Sequence, residues 1–148
     1  ARHTNERTRA SYLPHNFEPV AGAHRWQLIE GAGEVLPGIS VRPIPGHVPF
    51  QQAVLVRDRG ETAAFMADLI PTTAHLPLPW IMAYDLEPLR TLETKREFLR
   101  DAVAGEWRLV FEHDTTVVSG VPVVEEKGVV LRDVVYAPAS ALTVSRSP

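Results

Sequence analysis

Apolar and polar residues alternate in short stretches over most of this chain and change to a helical period in two places. From Arg25 to Glu30, Trp26 and Leu28 alternate with Arg25 and Gln27, which predicts a half-buried strand. Ile39 to Ile44 repeats the pattern, with Ile39 and Val41 set against Ser40 and Arg42. Gln52 to Arg57 and Glu61 to Ala67 predict two more strands, and Asp58-Arg59-Gly60 between them marks the clearest hairpin in the chain. Ala63 to Ala67 is apolar throughout, as in a strand covered on both faces, and it stops at Asp68. Trp107 to Phe111, Val121 to Glu125 and Val129 to Val135 complete the strand set.

The helical period appears first after Pro14, roughly over Asn16 to Ala23, with Phe17, Val20 and Ala21 on one side. A longer helix starts at Asp85-Leu86-Glu87-Pro88, which offers an N-cap residue, acids and an early proline. It carries Leu89, Leu92, Phe98, Leu99, Ala102 and Val103 as an apolar stripe and stops at Gly105. Gly31-Ala32-Gly33 and Pro37-Gly38 read as loop. The run from Pro43 to Pro49 cannot be regular sheet, because Pro43, Pro45 and Pro49 remove ladder donors while Gly46 permits a tight backbone. Leu69 to Tyr84 is a long proline-rich loop, a type that often forms functional walls, and Trp80 lies within it. Trp26, Trp80 and Trp107 are most simply core, with Trp80 alone in the context of a pocket wall. Residues 136–148 read as a loose tail. There is no internal repeat.

At 148 residues, 45% apolar and 22% charged, the chain can bury the core of one domain. Its net charge of −3 and the short, interrupted cluster Arg2, Arg7, Arg9 argue against a nucleic-acid partner. With no cysteine, disulfides, thiolate metal sites and a cysteine nucleophile are excluded. No apolar run approaches the roughly 18 residues that span a bilayer, and the polar N-terminus lacks the apolar centre of a secretion signal. No membrane partner is expected, and a cytoplasmic location follows by default.

Three residues with metal-binding side chains sit where apolar strand-like runs stop. They are His47 in Pro45-Gly46-His47, Asp68 in Phe65-Met66-Ala67-Asp68, and His113 in Phe111-Glu112-His113-Asp114. Two imidazoles and a carboxylate suit zinc, and equally an iron site. Asp68 stands out, since a carboxylate at the end of an apolar strand must reach solvent or meet a positive partner. His75, in the long loop, is a candidate proton donor or substrate contact, and reads equally well as a partly exposed loop histidine. His3, His15 and His24 read as surface. Glu112 and Asp114 flank His113, so strand alternation points them away from it, toward supporting or surface roles.

In order and spacing, these elements resemble the C-terminal part of metallo-β-lactamase-fold hydrolases. In that family a strand ends in Thr-Pro-Gly-His-Thr-Pro-Gly-His, a later strand in a metal-bridging Asp, and a final strand in a His ligand. Ile44-Pro45-Gly46-His47, Phe65-Met66-Ala67-Asp68 and Phe111-Glu112-His113-Asp114 match them in turn, and the resemblance runs from about Arg9 to Val135. Two features depart from the pattern. The family's His-x-His-x-Asp-His is absent, and Phe50 and Gln51 stand where Gly and a non-ligand His are expected.

The resemblance implies an α+β fold over residues 1–135: half of an αββα sandwich, a mixed, largely antiparallel sheet with helices on one face and an apolar inner face. It implies a metal-dependent hydrolase of esters, lactones, thioesters or phosphoesters, with two zinc ions in a complete site, His47 on one, His113 on the other and Asp68 between. Iron in place of zinc, and with it an oxygenase on the same fold, stays open. The missing ligands would come from an N-terminal half of the same fold or a second copy of the chain, and the substrate would be a small molecule. The competing reading is a non-catalytic remnant that serves as an interaction or structural module.

Overall fold

A computed structural model of the chain describes residues 4–138. They belong to two units, one ending at Glu30 and one beginning at Gly31. In the first unit, α1 spans Pro14–Gly22 with a proline in its first turn. The helix therefore begins before its apolar pattern does, because the ring pre-sets the helical φ and removes a donor that would go unpaired there. The strand expected over Arg25 to Glu30 does not form. Trp26 and Leu28 are exposed, at 54% and 89%, so the alternation marks no buried face, and Trp26 is not core.

The second unit is built on one sheet. Its strands are β1 (Gly33–Leu36), β2 (Ile39–Pro43), β3 (Gln52–Asp58), β4 (Glu61–Phe65), β5 (Arg108–Val110), β6 (Val117–Glu125) and β7 (Gly128–Tyr136). They lie in sequence order across the sheet. Every neighbouring pair is antiparallel except β4 and β5, which are parallel. β1 occupies a stretch read from sequence as loop, and the two-residue turn Pro37-Gly38 folds it back on β2. The β3–β4 hairpin holds Arg59 and Gly60 at φ 48° and 84°, the two positive angles that a tight right-twisting hairpin turn requires. β6 and β7 are longer than their apolar runs, and β7 takes in Tyr136. The rest of the expected tail from residue 139 lies outside the described residues.

A parallel pair cannot be joined by a hairpin, so the β4-to-β5 connection crosses over through α2 (Pro88–Ala104). Glu87, not Asp85, is its N-cap residue, and Gly105 ends it. Its inward face is Thr91, Lys95, Phe98, Leu99 and Ala102, while Leu89 is 80% exposed. The stripe is thus polar in its first turns, where it meets the 77–85 loop, and apolar where it meets the sheet. Phe98, Leu99 and Ala102 pack with Ala53, Leu55, Ala64 and Leu109 in the core, joined by Leu69, Ile70 and Leu76 from the long loop. Trp107 meets the Phe98 ring edge-on with centroids 5.7 Å apart, and the Arg42 guanidinium lies 5.5 Å from the same ring.

The opposite face of the sheet is apolar and open. Val41 pairs with Val54, Val54 with Phe65, and Phe65 with Val110, while Ile39 pairs with Val56 and Val56 with Ala63, so all seven share one face. None of them is buried; Val56 is 44% and Phe65 38% exposed. Among the described residues of this unit, β4 is not covered on both faces: Ala64 is buried with the core, while Ala63 and Phe65 are not buried. The architecture is the expected α+β half-sandwich, a mixed, largely antiparallel sheet with α2 on one face.

Phe98 sits where α2, Arg42 and Trp107 meet. Phe98→Ala should lower unfolding stability by about 3–5 kcal/mol, measured by urea denaturation, with loss of the cooperative transition as the extreme outcome.

Candidate metal centre

Strand direction decides which side chains can meet. β2 is antiparallel to β3, β3 is antiparallel to β4, and β4 is parallel to β5. β2, β4 and β5 therefore run the same way, and the chain leaves all of them at one edge of the sheet. His47 follows β2, Asp68 follows β4 and His113 follows β5.

The segment after β2 is held by α2. Thr94 Oγ1 donates to Pro45 O at 2.8 Å, Glu87 N to Gly46 O at 2.9 Å and Leu86 N to His47 O at 3.1 Å. Gly46 has φ +143°, and a Cβ there would lie 2.4 Å from Thr91 Oγ1 and 2.6 Å from Thr91 N and Cα. Only glycine lets the loop press this closely on the start of α2. Phe50, standing where the family pattern has glycine, leaves that contact undisturbed, since it is 93% exposed.

His47 Nδ1 lies 2.9 Å from Asp85 Oδ1, and the Asp85 side chain is 1% exposed. The carboxylate oxygen accepts in this pair, so Nδ1 is the donor. Nε2 is left with its lone pair, 3.6 Å from Asp68 Oδ2. Asp85 is thus the residue that sequence reasoning misplaced: it looked like a helix cap, and instead it orients a candidate ligand. Its second oxygen, Oδ2, is buried with no hydrogen-bond partner among the described residues. The nearby cation Lys95 is fully enclosed and donates to Pro77 O at 2.7 Å and Trp80 O at 3.0 Å. Desolvation lowers its pKa to about 8, against the opposing attraction of Asp85. Lys95 therefore fastens the 77–85 loop to α2.

Asp68 is delivered by a sharp change of direction. Met66 has φ −98° and ψ 9°, and Ala67 has φ 45°, a left-handed conformation uncommon outside glycine. The chain then enters a 3-10 turn, Ala67–Leu69, anchored by buried Leu69 and Ile70. Asp68 Oδ1 lies 3.3 Å from His113 Nε2. One carboxylate thus presents an oxygen to each histidine.

His113 N donates to Pro71 O at 3.1 Å. Its neighbour Asp114 accepts from Thr73 N at 2.8 Å, Thr73 Oγ1 at 2.6 Å, Thr116 N at 3.0 Å and Val117 N at 2.9 Å. Partial burial works to raise the Asp114 pKa, but these donors, Thr73 foremost, hold it well below the usual carboxylate range. Glu112 does not point away from its neighbour. β5 ends at Val110, so strand alternation no longer governs residue 112, and Glu112 Oε1 lies 3.1 Å from His113 Nε2. Asp68, Glu112 and His113 offer ligand atoms that all fall within 4.8 Å of one another.

His75 makes no hydrogen bond or ion pair to this group. It sits in a second 3-10 turn, Thr73–His75, with Nδ1 2.8 Å from Thr72 Oγ1. Trp80 is 64% exposed and so is not core. Two imidazole nitrogens and a carboxylate converge, one imidazole with its other nitrogen already occupied. That donor set fits a borderline metal ion such as zinc.

No protein-family model matches this chain, and no curated protein matches it. Solved structures do. A probable metal-dependent hydrolase from Staphylococcus aureus aligns with a TM-score of 0.65 at 24% identity, over 76% of this chain and 42% of that one. AidC, a dizinc quorum-quenching lactonase solved with the product N-hexanoyl-homoserine, aligns at 0.69 and 18% identity, over 86% and 44%. AbOPH, a hydrolase in the β-lactamase superfamily, aligns at 0.70 and 16% identity, over 90% and 47%. The chain spans less than half the length of each, and what it shares with them is the fold.

Two outcomes test this geometry. Asp114→Ala should destabilise the protein at neutral pH. Because the native pKa is depressed, the wild-type advantage is full above the unfolded carboxylate value of about 4 and shrinks as pH falls below it. Urea midpoints for the two proteins, compared from pH 7 downward, should therefore converge in acid. Asp85→Ala should release the His47 tautomer, so that nitrogen-15 NMR shows the Nδ1–H form in the wild type and a shift toward Nε2–H in the variant.

Proposed function

We propose that this chain, which has the fold of half of a metallo-β-lactamase-superfamily hydrolase, supplies half of the active site of a metal-dependent hydrolase. The observation that carries this reading is the convergence of His47, Asp68 and His113, with Asp68 turned to both histidines. His47 would hold one ion and His113 a second, with Asp68 between them. A bound zinc pair supplies an activated water and a Lewis acid for the scissile carbonyl or phosphoryl oxygen. The chain's own residues set the stage for that chemistry. Asp85 keeps the Nε2 lone pair of His47 directed toward Asp68, and Asp114 fixes the backbone that carries His113. His75, held through Nδ1, keeps Nε2 as a proton donor or substrate contact. The substrate is an ester, lactone, thioester or phosphoester.

The open sheet face supports a second reading about assembly. An apolar row of Val41, Val54, Phe65 and Val110 calls for a covering layer, and sheets stack face to face in sandwich folds. The partner would be an N-terminal half of the same fold, carrying the missing ligands, or a second copy of this chain.

Metal analysis and hydrolysis assays on the chain, with and without an N-terminal half from a superfamily relative, test both points. The hydrolase reading expects about two ions per completed site and activity only in the completed sample. No metal and no activity in either sample would favour the non-catalytic module. Light scattering should show association, and a well-behaved monomer would count against the covering layer.

A further inference from the structure

We propose that Glu112 is a metal ligand, and that with Asp68 and His113 it lets this chain hold one ion without any residue from a second half. The proposal rests on the hydrolase reading and departs from the family motif, which assigns a single residue, His113, at this strand end.

The observation is the placement of three donors of two kinds. His113 Nε2 lies 3.3 Å from Asp68 Oδ1 and 3.1 Å from Glu112 Oε1. Ligands about 2.1 Å from one tetrahedral ion stand about 3.4 Å apart. These two separations are close to those of a shared ion, and the Asp68 and Glu112 oxygens lie within 4.8 Å of each other. Two carboxylates drawn to one imidazole also repel each other, and a divalent cation relieves that repulsion.

The two sides of Asp68 are consequently unequal. Oδ1 belongs to a three-ligand set made by Asp68, Glu112 and His113, whereas Oδ2 faces only His47. The His113 side reaches the three protein ligands typical of an open zinc site. The His47 side has two and depends on ligands from elsewhere. With two carboxylates and one imidazole, the self-sufficient site also accepts harder ions such as manganese.

Equilibrium dialysis of the chain alone against zinc chloride, followed by elemental analysis, tests this directly. The expected result is one ion per chain. Glu112→Gln and His113→Ala should each weaken binding at least about tenfold, while His47→Ala should change it little. Circular dichroism establishes that each variant is folded, and cobalt substituted for zinc should give a visible absorption band in the wild type that Glu112→Gln alters. Equal zinc affinity and an unchanged cobalt band in Glu112→Gln would overturn the role of Glu112 while leaving the hydrolase reading intact. So would a chain that binds no zinc alone but two ions once an N-terminal half is added. No zinc in either state would overturn both.

Discussion

The site depends on one topological fact: a single parallel pairing within an otherwise antiparallel sheet. Two antiparallel steps separate β2 from β4, and the parallel step joins β4 to β5. An antiparallel β4–β5 pair would send His113 to the far edge, about three residues of strand away at roughly 3.3 Å each. The parallel step in turn requires a crossover, and that crossover is α2. The helix that closes the core is therefore also the element that brings the last candidate ligand home.

The same helix and its flanking loops hold the candidate ligands in place through polar contacts. Pro45, Gly46 and His47 each give their carbonyl to α2 or its approach, and Lys95 gathers carbonyls of the 77–85 loop. Asp114 ties the segment after β5 to the turn at Thr73. Asp85 is the costly member. Leaving Oδ2 buried without a partner costs about 1–3 kcal/mol, a penalty that core packing alone gives no reason to retain. Its hydrogen bond to His47 does give one, because that bond leaves Nε2 free toward Asp68. Ala67, forced into a left-handed conformation just before Asp68, is a second local cost borne at the same place.

Much of this was readable in the residues. The hairpin at Arg59-Gly60, the stops of the apolar runs just before Asp68 and His113, and the helix stop at Gly105 each carry a strong local signal. The misreadings have a common cause, which is that local pattern does not reveal neighbours. Trp26 and Leu28 alternate like a strand, yet among the described residues the segment pairs with no strand. β1 looks like loop because Gly31-Ala32-Gly33 and Pro37-Gly38 bracket it, yet β2 lends it a partner. Asp85 reads as a helix cap until His47 is seen beside it. Strand alternation points Glu112 outward, but β5 ends before that rule reaches it.

The central claim is that His47 and His113 face opposite oxygens of Asp68 in one metal centre at the edge where β2, β4 and β5 end. Anomalous diffraction at the zinc absorption edge, on crystals of the chain grown with zinc chloride, tests it most directly. The claim predicts a strong peak bonded to an Asp68 oxygen and to Nε2 of His113 or His47. Strong peaks elsewhere, with density showing these three side chains turned in separate directions, would contradict it.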